Sequence, residues 1–185
     1  PWVAPVSIGS IGWKWILDSL YSVVNWVLIR LRLVNEFSPP MWLGEPTLAM
    51  ISVILVHTWH VQPFATVILL AGWTAIPKDI PEACAVDGAG YFRTLFQITL
   101  PMLRPIINVA LLFGIVFTFT DMTVIYILTR GGPYDTTQVL PSLAFFTGIL
   151  GSDLAEGAAI SIFLLPILVL VAWRMLRTAH RAEVG

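Results

Sequence analysis

The sequence predicts an all-α membrane protein, a multi-spanning helical bundle, and three observations carry that prediction. Hydrophobic residues make up 57% of the 185 residues and charged residues only 11%, with a mean hydropathy of +0.85. A soluble domain carries roughly 25% charged residues, so this chain lacks the polar surface to cover a water-exposed globule. Three stretches, about 47–76, 105–128 and 154–173, hold the ~20 apolar residues a helix needs to cross the hydrocarbon core. Trp42, Trp73 and Trp173 fall near the ends of these stretches, where indoles prefer the interface.

Taken in order, residues 1–12 read as the end of a span whose beginning lies upstream, which makes the bundle N-terminally incomplete. Residues 13–46 read as an outer interfacial loop. Within it, 13–34 is apolar but carries Lys14, Asp18, Asn25, Arg30 and Arg32; an amphipathic interfacial helix and a span are both open, and the charge favours the interface. The 47–76 span is long enough to cross with tilt. A polar loop follows at 77–104, then the 105–128 span, an outer loop at 129–153, the 154–173 span and a tail at 174–185. With the 77–104 loop and the tail inside, six basic residues (Lys78, Arg93, Arg104, Arg174, Arg177, Arg181) face the cytoplasm. Lys14, Arg30, Arg32 and Arg130 face outward, and this excess sets the orientation.

Several function classes are disfavoured by composition. A net charge of −1 without a basic cluster offers nothing to nucleic acid, and one cysteine allows no disulfide within the chain. No charged start with a cleavage site marks a signal peptide. The chain also lacks a G-x-x-x-x-G-K-[ST] phosphate loop, so any ATP chemistry must come from another subunit.

The 77–104 loop has internal design. Pro77 and Pro81 bracket its start. Asp79 can cap a helix in which Pro81 is tolerated in the first turn, and Glu82 in that turn suits the positive helix end. Gly88 is placed to end the helix in a left-handed conformation. A second short helix through Tyr91–Gln97 is expected to lead to Leu100-Pro101, where the next span begins. From spacing alone, a solvated loop with routine caps remains open.

The run Glu82-Ala83-Cys84, three residues, Gly88, nine residues, then Ile98-x-Leu100-Pro101 resembles the EAA loop of binding-protein-dependent ABC importer permeases. Cys84 stands where a second alanine is usual. The resemblance implies an importer permease core whose coupling residues are Glu82, Ala83, Cys84, Asp87 and Gly88. It further implies cytoplasmic ABC ATPase subunits that bind ATP-Mg, a second homologous permease subunit, an extracytoplasmic solute-binding protein and a multi-pass location in the cell membrane. Such a subunit is not an enzyme and carries no cofactor or metal of its own.

Asp121 is singled out independently. It lies about two-thirds along an apolar stretch, and an ionised carboxylate at bilayer depth costs at least ~2.5 kcal/mol. Gly114, Phe117, Thr118 and Asp121 are spaced i, i+3, i+4, i+7, one helical face: a small residue, a ring, a hydroxyl and a carboxylate, a set that suits sugar. A structural carboxylate tied to a loop donor, and plain helix packing for Phe117 and Thr118, stay open. His57 and His60 share a face, but no carboxylate or thiol stands nearby in sequence, so polar pairing or pore lining fits better than a metal. Arg130 and Asp135 shape an outer loop around Gly131-Gly132-Pro133, which is turn chemistry.

Phe117-Thr118-Phe119-Thr120-Asp121, the run from Tyr126 through Thr129-Arg130-Gly131-Gly132-Pro133 to Thr137, Trp59-His60-Val61-Gln62-Pro63 and Trp42-Leu43-Gly44 resemble the carbohydrate-importer branch, the maltose-type first permease in particular. That likeness implies a substrate path through His60, Val61, Gly114, Phe117, Thr118 and Asp121 for a sugar or polyol. Glycerol phosphate or another small solute is the alternative cargo, although only Arg130 stands near the outer mouth. An ATP-independent secondary transporter is the alternative from another class.

Overall fold

The computed structural model describes residues 1–183, which form ten α-helices and two π-helical turns. Three helices are long and apolar enough to cross a membrane: Pro46–Thr74, Tyr91–Thr120 and Leu154–Met175. The chain divides into two compact units, Pro1–Gln62 with Thr118–Pro166, and Pro63–Phe117 with Ile167–Gly185.

The first unit begins with α1 (Val6–Ile16) and α2 (Val23–Arg30). The 13–34 region thus holds the last turn of α1 and the whole of α2, and α1 crosses the boundary expected at residue 12. Local polar groups cause the break. Asp18 Oδ1 accepts from the backbone N–H of Leu20 and Tyr21 at 2.8 and 3.1 Å, which ends one helix. Ser22 then caps the next, its Oγ accepting from Asn25 N at 3.1 Å. Asn25 lies buried, not on a polar face. Its Nδ2 donates to Pro40 O at 3.1 Å and its Oδ1 accepts from Trp42 Nε1 at 2.7 Å.

Helix α3 (Pro46–Thr74) starts in this unit. A core of Leu17, Val53, Val56, Val124, Ile125 and Leu128 ties it to α1 and to α7 (Thr123–Leu128). The expected 105–128 span is interrupted at Asp121 and Met122, because the carboxylate draws the backbone into a new helix start. Residues 129–153 are not merely a loop. They hold α8 (Leu140–Phe145) and a π turn (Phe146–Leu150), packed against α9 (Leu154–Ile162). Gly148 and Gly157 allow that approach: a Cβ on Gly157 would lie 2.5 Å from Gly148 Cα.

The second unit contains the rest of α3, α4 (Asp79–Val86), a helical turn α5 (Tyr91–Thr94), a π turn (Leu95–Thr99) and most of α6 (Leu100–Thr120). Residues 91–120 run as one helix, so the separate Tyr91–Gln97 helix and the span start at 105 are merged. Pro101 explains the π turn. It has no N–H for Gln97 O, and the ladder adjusts by one residue, with Leu100 N–H donating to Leu95 O. Pro63 in α3, Pro105 in α6 and Pro166 in α10 (Leu164–Glu183) likewise withhold a donor. The last of these coincides with the break between α9 and α10. Of the expected tail 174–185, α10 takes in residues to Glu183 and the final two lie outside the described residues.

Candidate functional site

Two places carry the candidate residues, one in each unit. In the second unit, α4 starts at Asp79 with Lys78 as its N-cap, and no side chain caps it. Asp79 is therefore the first helical residue, not the cap. It shares the first turn with Glu82, where negative charge complements the helix dipole. The C-terminal end is a complete Schellman motif. Ala89 N donates to Cys84 O at 2.9 Å, Gly88 N donates to Ala85 O at 3.1 Å, and Gly88 has φ +75°. The left-handed conformation expected of Gly88 is present.

Glu82, Ala83, Asp87 and Gly88 are exposed. Cys84 is the exception at 7% exposure; it turns inward, so it cannot belong to the same accessible face. Sequence reasoning missed three apolar neighbours. Val86 is 88% exposed, and Tyr91 and Phe92, in edge contact at 5.5 Å, are also open. Nothing in the polar, small-residue motif beside them signals that exposure. The arrangement is an acidic helix end followed by a small-residue and aromatic surface, held rigid by backbone bonds.

In the first unit, His57 Nε2 and Thr118 Oγ1 lie 2.9 Å apart. They line a cavity of about 330 Å³ with Asp121, walled by Met50, Ile54 and Val139. Asp121 is half-buried at the end of α6, not within a helix, and its Oδ1 accepts from Thr123 N at 2.8 Å. The carboxylate thus starts α7 and lines the cavity as well. His60 lies against Trp2, with ring centroids 5.4 Å apart. Val61 is half-buried on the same helix.

Phe117 belongs to the second unit, where its ring stands 5.4 Å from Phe64 and 6.1 Å from Phe113. Where a Cβ would project from Gly114 the space is open. The structure therefore brings Thr118 and Asp121 together around His57, and it groups Phe117 with Phe64 and Phe113. The His57–Thr118 pairing joins positions 61 apart in the chain, beyond the reach of spacing arguments.

The signature at 129–137 folds on itself. Thr137 is fully buried, donating through Oγ1 to Gly132 O at 2.7 Å, and its hydroxyl lies 2.7 Å from that of Thr129. Gly131 has φ +88°, and a Cβ there would meet Gln138 Cγ at 2.7 Å.

Residues 2–180 match the family described as binding-protein-dependent transport system inner membrane component. The chain belongs to this family. Among its relatives is the trehalose/maltose transport system permease protein of Thermococcus litoralis, 39% identical over 162 residues, which are 88% of this chain and 53% of the relative. The sulfoquinovosyl glycerol transport system permease protein of Agrobacterium fabrum is 35% identical over 162 residues, 88% of this chain and 51% of that one. The fold is shared with a bacterial ABC transporter involved in the import of the acidic polysaccharide alginate. That match has a TM-score of 0.84 at 21% identity, over 98% of this chain and 62% of the other. The chain spans about half the length of the curated relatives it matches. As a permease-family component of the inner membrane, it uses the three apolar helices as membrane elements.

Proposed function

We propose that this permease chain forms part of an ATP-driven importer for a sugar or polyol, in the position of the maltose-type first permease. Its α4 surface engages a separate cytoplasmic ATPase, which binds ATP-Mg and supplies the energy. A second homologous permease completes the path, and an extracytoplasmic solute-binding protein delivers the cargo. The 77–104 loop and the C-terminal end face the cytoplasm, and 129–153 faces outward. Family membership weighs against the secondary transporter. The relatives named for trehalose/maltose and for sulfoquinovosyl glycerol favour carbohydrate over glycerol phosphate.

The observation that carries the cargo reading is the His57–Thr118–Asp121 cavity. It offers imidazole, hydroxyl and carboxylate groups in an otherwise apolar wall, the mix of few polar anchors and apolar lining expected of a small-molecule site. Such groups exchange hydrogen bonds with hydroxyls in either direction. On the same helix as His57, and in the same unit, His60 and Val61 continue the path.

Asp121→Asn provides the test. Asparagine keeps the oxygen that accepts from Thr123 N in the same two-residue turn, so α7 and subunit assembly should survive. Uptake of the cognate sugar in the assembled transporter should fall, while affinity of the binding protein stays unchanged. Normal uptake in this variant would reduce Asp121 to a turn residue ahead of α7 and remove the cargo site.

A further inference from the structure

A second cavity, of about 330 Å³, opens in the other unit where α3 ends and α4 begins. Its lining mixes two chemistries. Lys78, Thr94 and Thr99 are among the polar residues, and Trp73, Ile76 and Ile98 among the apolar ones. The position matters. Trp73 lies in the last turn of a membrane-length helix, the level at which indoles mark the headgroup region. The π turn at Leu95–Thr99 supplies Ile98 and Thr99 to the same wall, and such turns recur at functional sites.

We infer that this cavity binds an anionic phospholipid from the leaflet facing α4. The phosphate sits against the Lys78 ammonium and the two threonine hydroxyls, and the start of an acyl chain runs along Trp73 and Ile98. The volume falls in the range of ligand pockets. A solute with only a phosphate would leave the isoleucine and indole surface bare, whereas a neutral lipid would leave Lys78 without its counter-charge. Lys78 is also the N-cap of α4. A bound lipid therefore holds the root of the same helix whose exposed face was described above, and bilayer charge becomes an input to α4. This site does not depend on which cargo is carried.

Native mass spectrometry of the full-length protein, assembled with its partner subunits in detergent, tests the assignment. Phosphatidylglycerol should be retained and phosphatidylcholine lost at the same activation energy. Lys78→Gln should lower phosphatidylglycerol retention about fivefold, the scale of one lysine at an anionic surface. Ile98→Phe should fill the cavity and displace the lipid without touching the charge, which covers the case in which Lys78→Gln fails to assemble. Equal retention of the two lipids, or retention unchanged in both variants, overturns the proposal. Displacement of phosphatidylglycerol by inorganic phosphate also overturns it, by making the site one for a free anion. Because the readout is lipid mass, loss of sugar uptake leaves it untouched.

Discussion

Two turns built on left-handed glycines behave as opposites. Gly88 at φ +75° has nothing within 4 Å of the space its Cβ would occupy, whereas Gly131 at φ +88° is buried with Gln138 pressed against that space. The Gly88 turn bonds only to its own helix end and leaves Glu82, Ala83 and Val86 open. The Gly131 turn consumes its polar groups internally: Thr137 N donates to Gly131 O at 3.1 Å, and the Thr137 hydroxyl serves Gly132 O. The same backbone requirement thus shapes a surface in one place and a core in the other. A motif of glycine and small polar residues does not by itself say which.

The largest effect should come from charge at the open turn. If α4 docks on an ATPase as proposed, Glu82→Lys is expected to cut uptake on the order of tenfold or more, because it reverses the charge on the exposed face. Thermal unfolding of the purified protein should move only slightly, by the loss of one favourable charge at an exposed helix N-terminus. A drop as large as that of a buried-turn variant would place Glu82 among the structural residues and erase the contrast. Next, Gly131→Val should destabilise the fold by about 3 kcal/mol, from the left-handed backbone together with overpacking against Gln138. The check is a melting curve in detergent. An unshifted curve would mean that the buried turn yields more easily than its contacts imply.

Thr137→Val comes third, costing about 1–3 kcal/mol because Gly132 O and the Thr129 hydroxyl lose a buried partner. Urea titration of the same sample measures it. Gly88→Val is the mildest for stability, about 1–2 kcal/mol of backbone strain with no clash. Under the proposed function its coupling to an ATPase should nevertheless fail, because the Schellman geometry at the end of α4 is lost. If Gly88→Val and Gly131→Val produced equal melting shifts, the distinction between open and packed turns would collapse.

Much of this was legible from residue order. Low charge and three apolar runs indicate membrane helices, and Gly88 at the end of a short helix foretells its positive φ. What escaped followed from local bonds that hydropathy does not register. The apolar run through 105–128 hides a break, because one carboxylate bonding two residues ahead outweighs the continuity of its neighbours. Asn25 looks like a polar-face residue until Trp42, 17 positions later, bonds it. Cys84 looks like one more small exposed residue, yet the helix rotates it inward. His57 acquired meaning only once Thr118 was beside it.

The prolines described earlier also impose a demand on the surroundings. Pro63 and Pro166 lie in two of the membrane-length helices and Pro101 and Pro105 in the third, so the carbonyls of Trp59, Ile162, Gln97 and Pro101 lose the N–H four residues on. Acyl chains have no donor to offer in its place. The sides of the helices bearing those oxygens must therefore turn toward hydroxyls, neighbouring protein or water. Each missing rung thus fixes which side of its helix has to find a donor in the assembled protein.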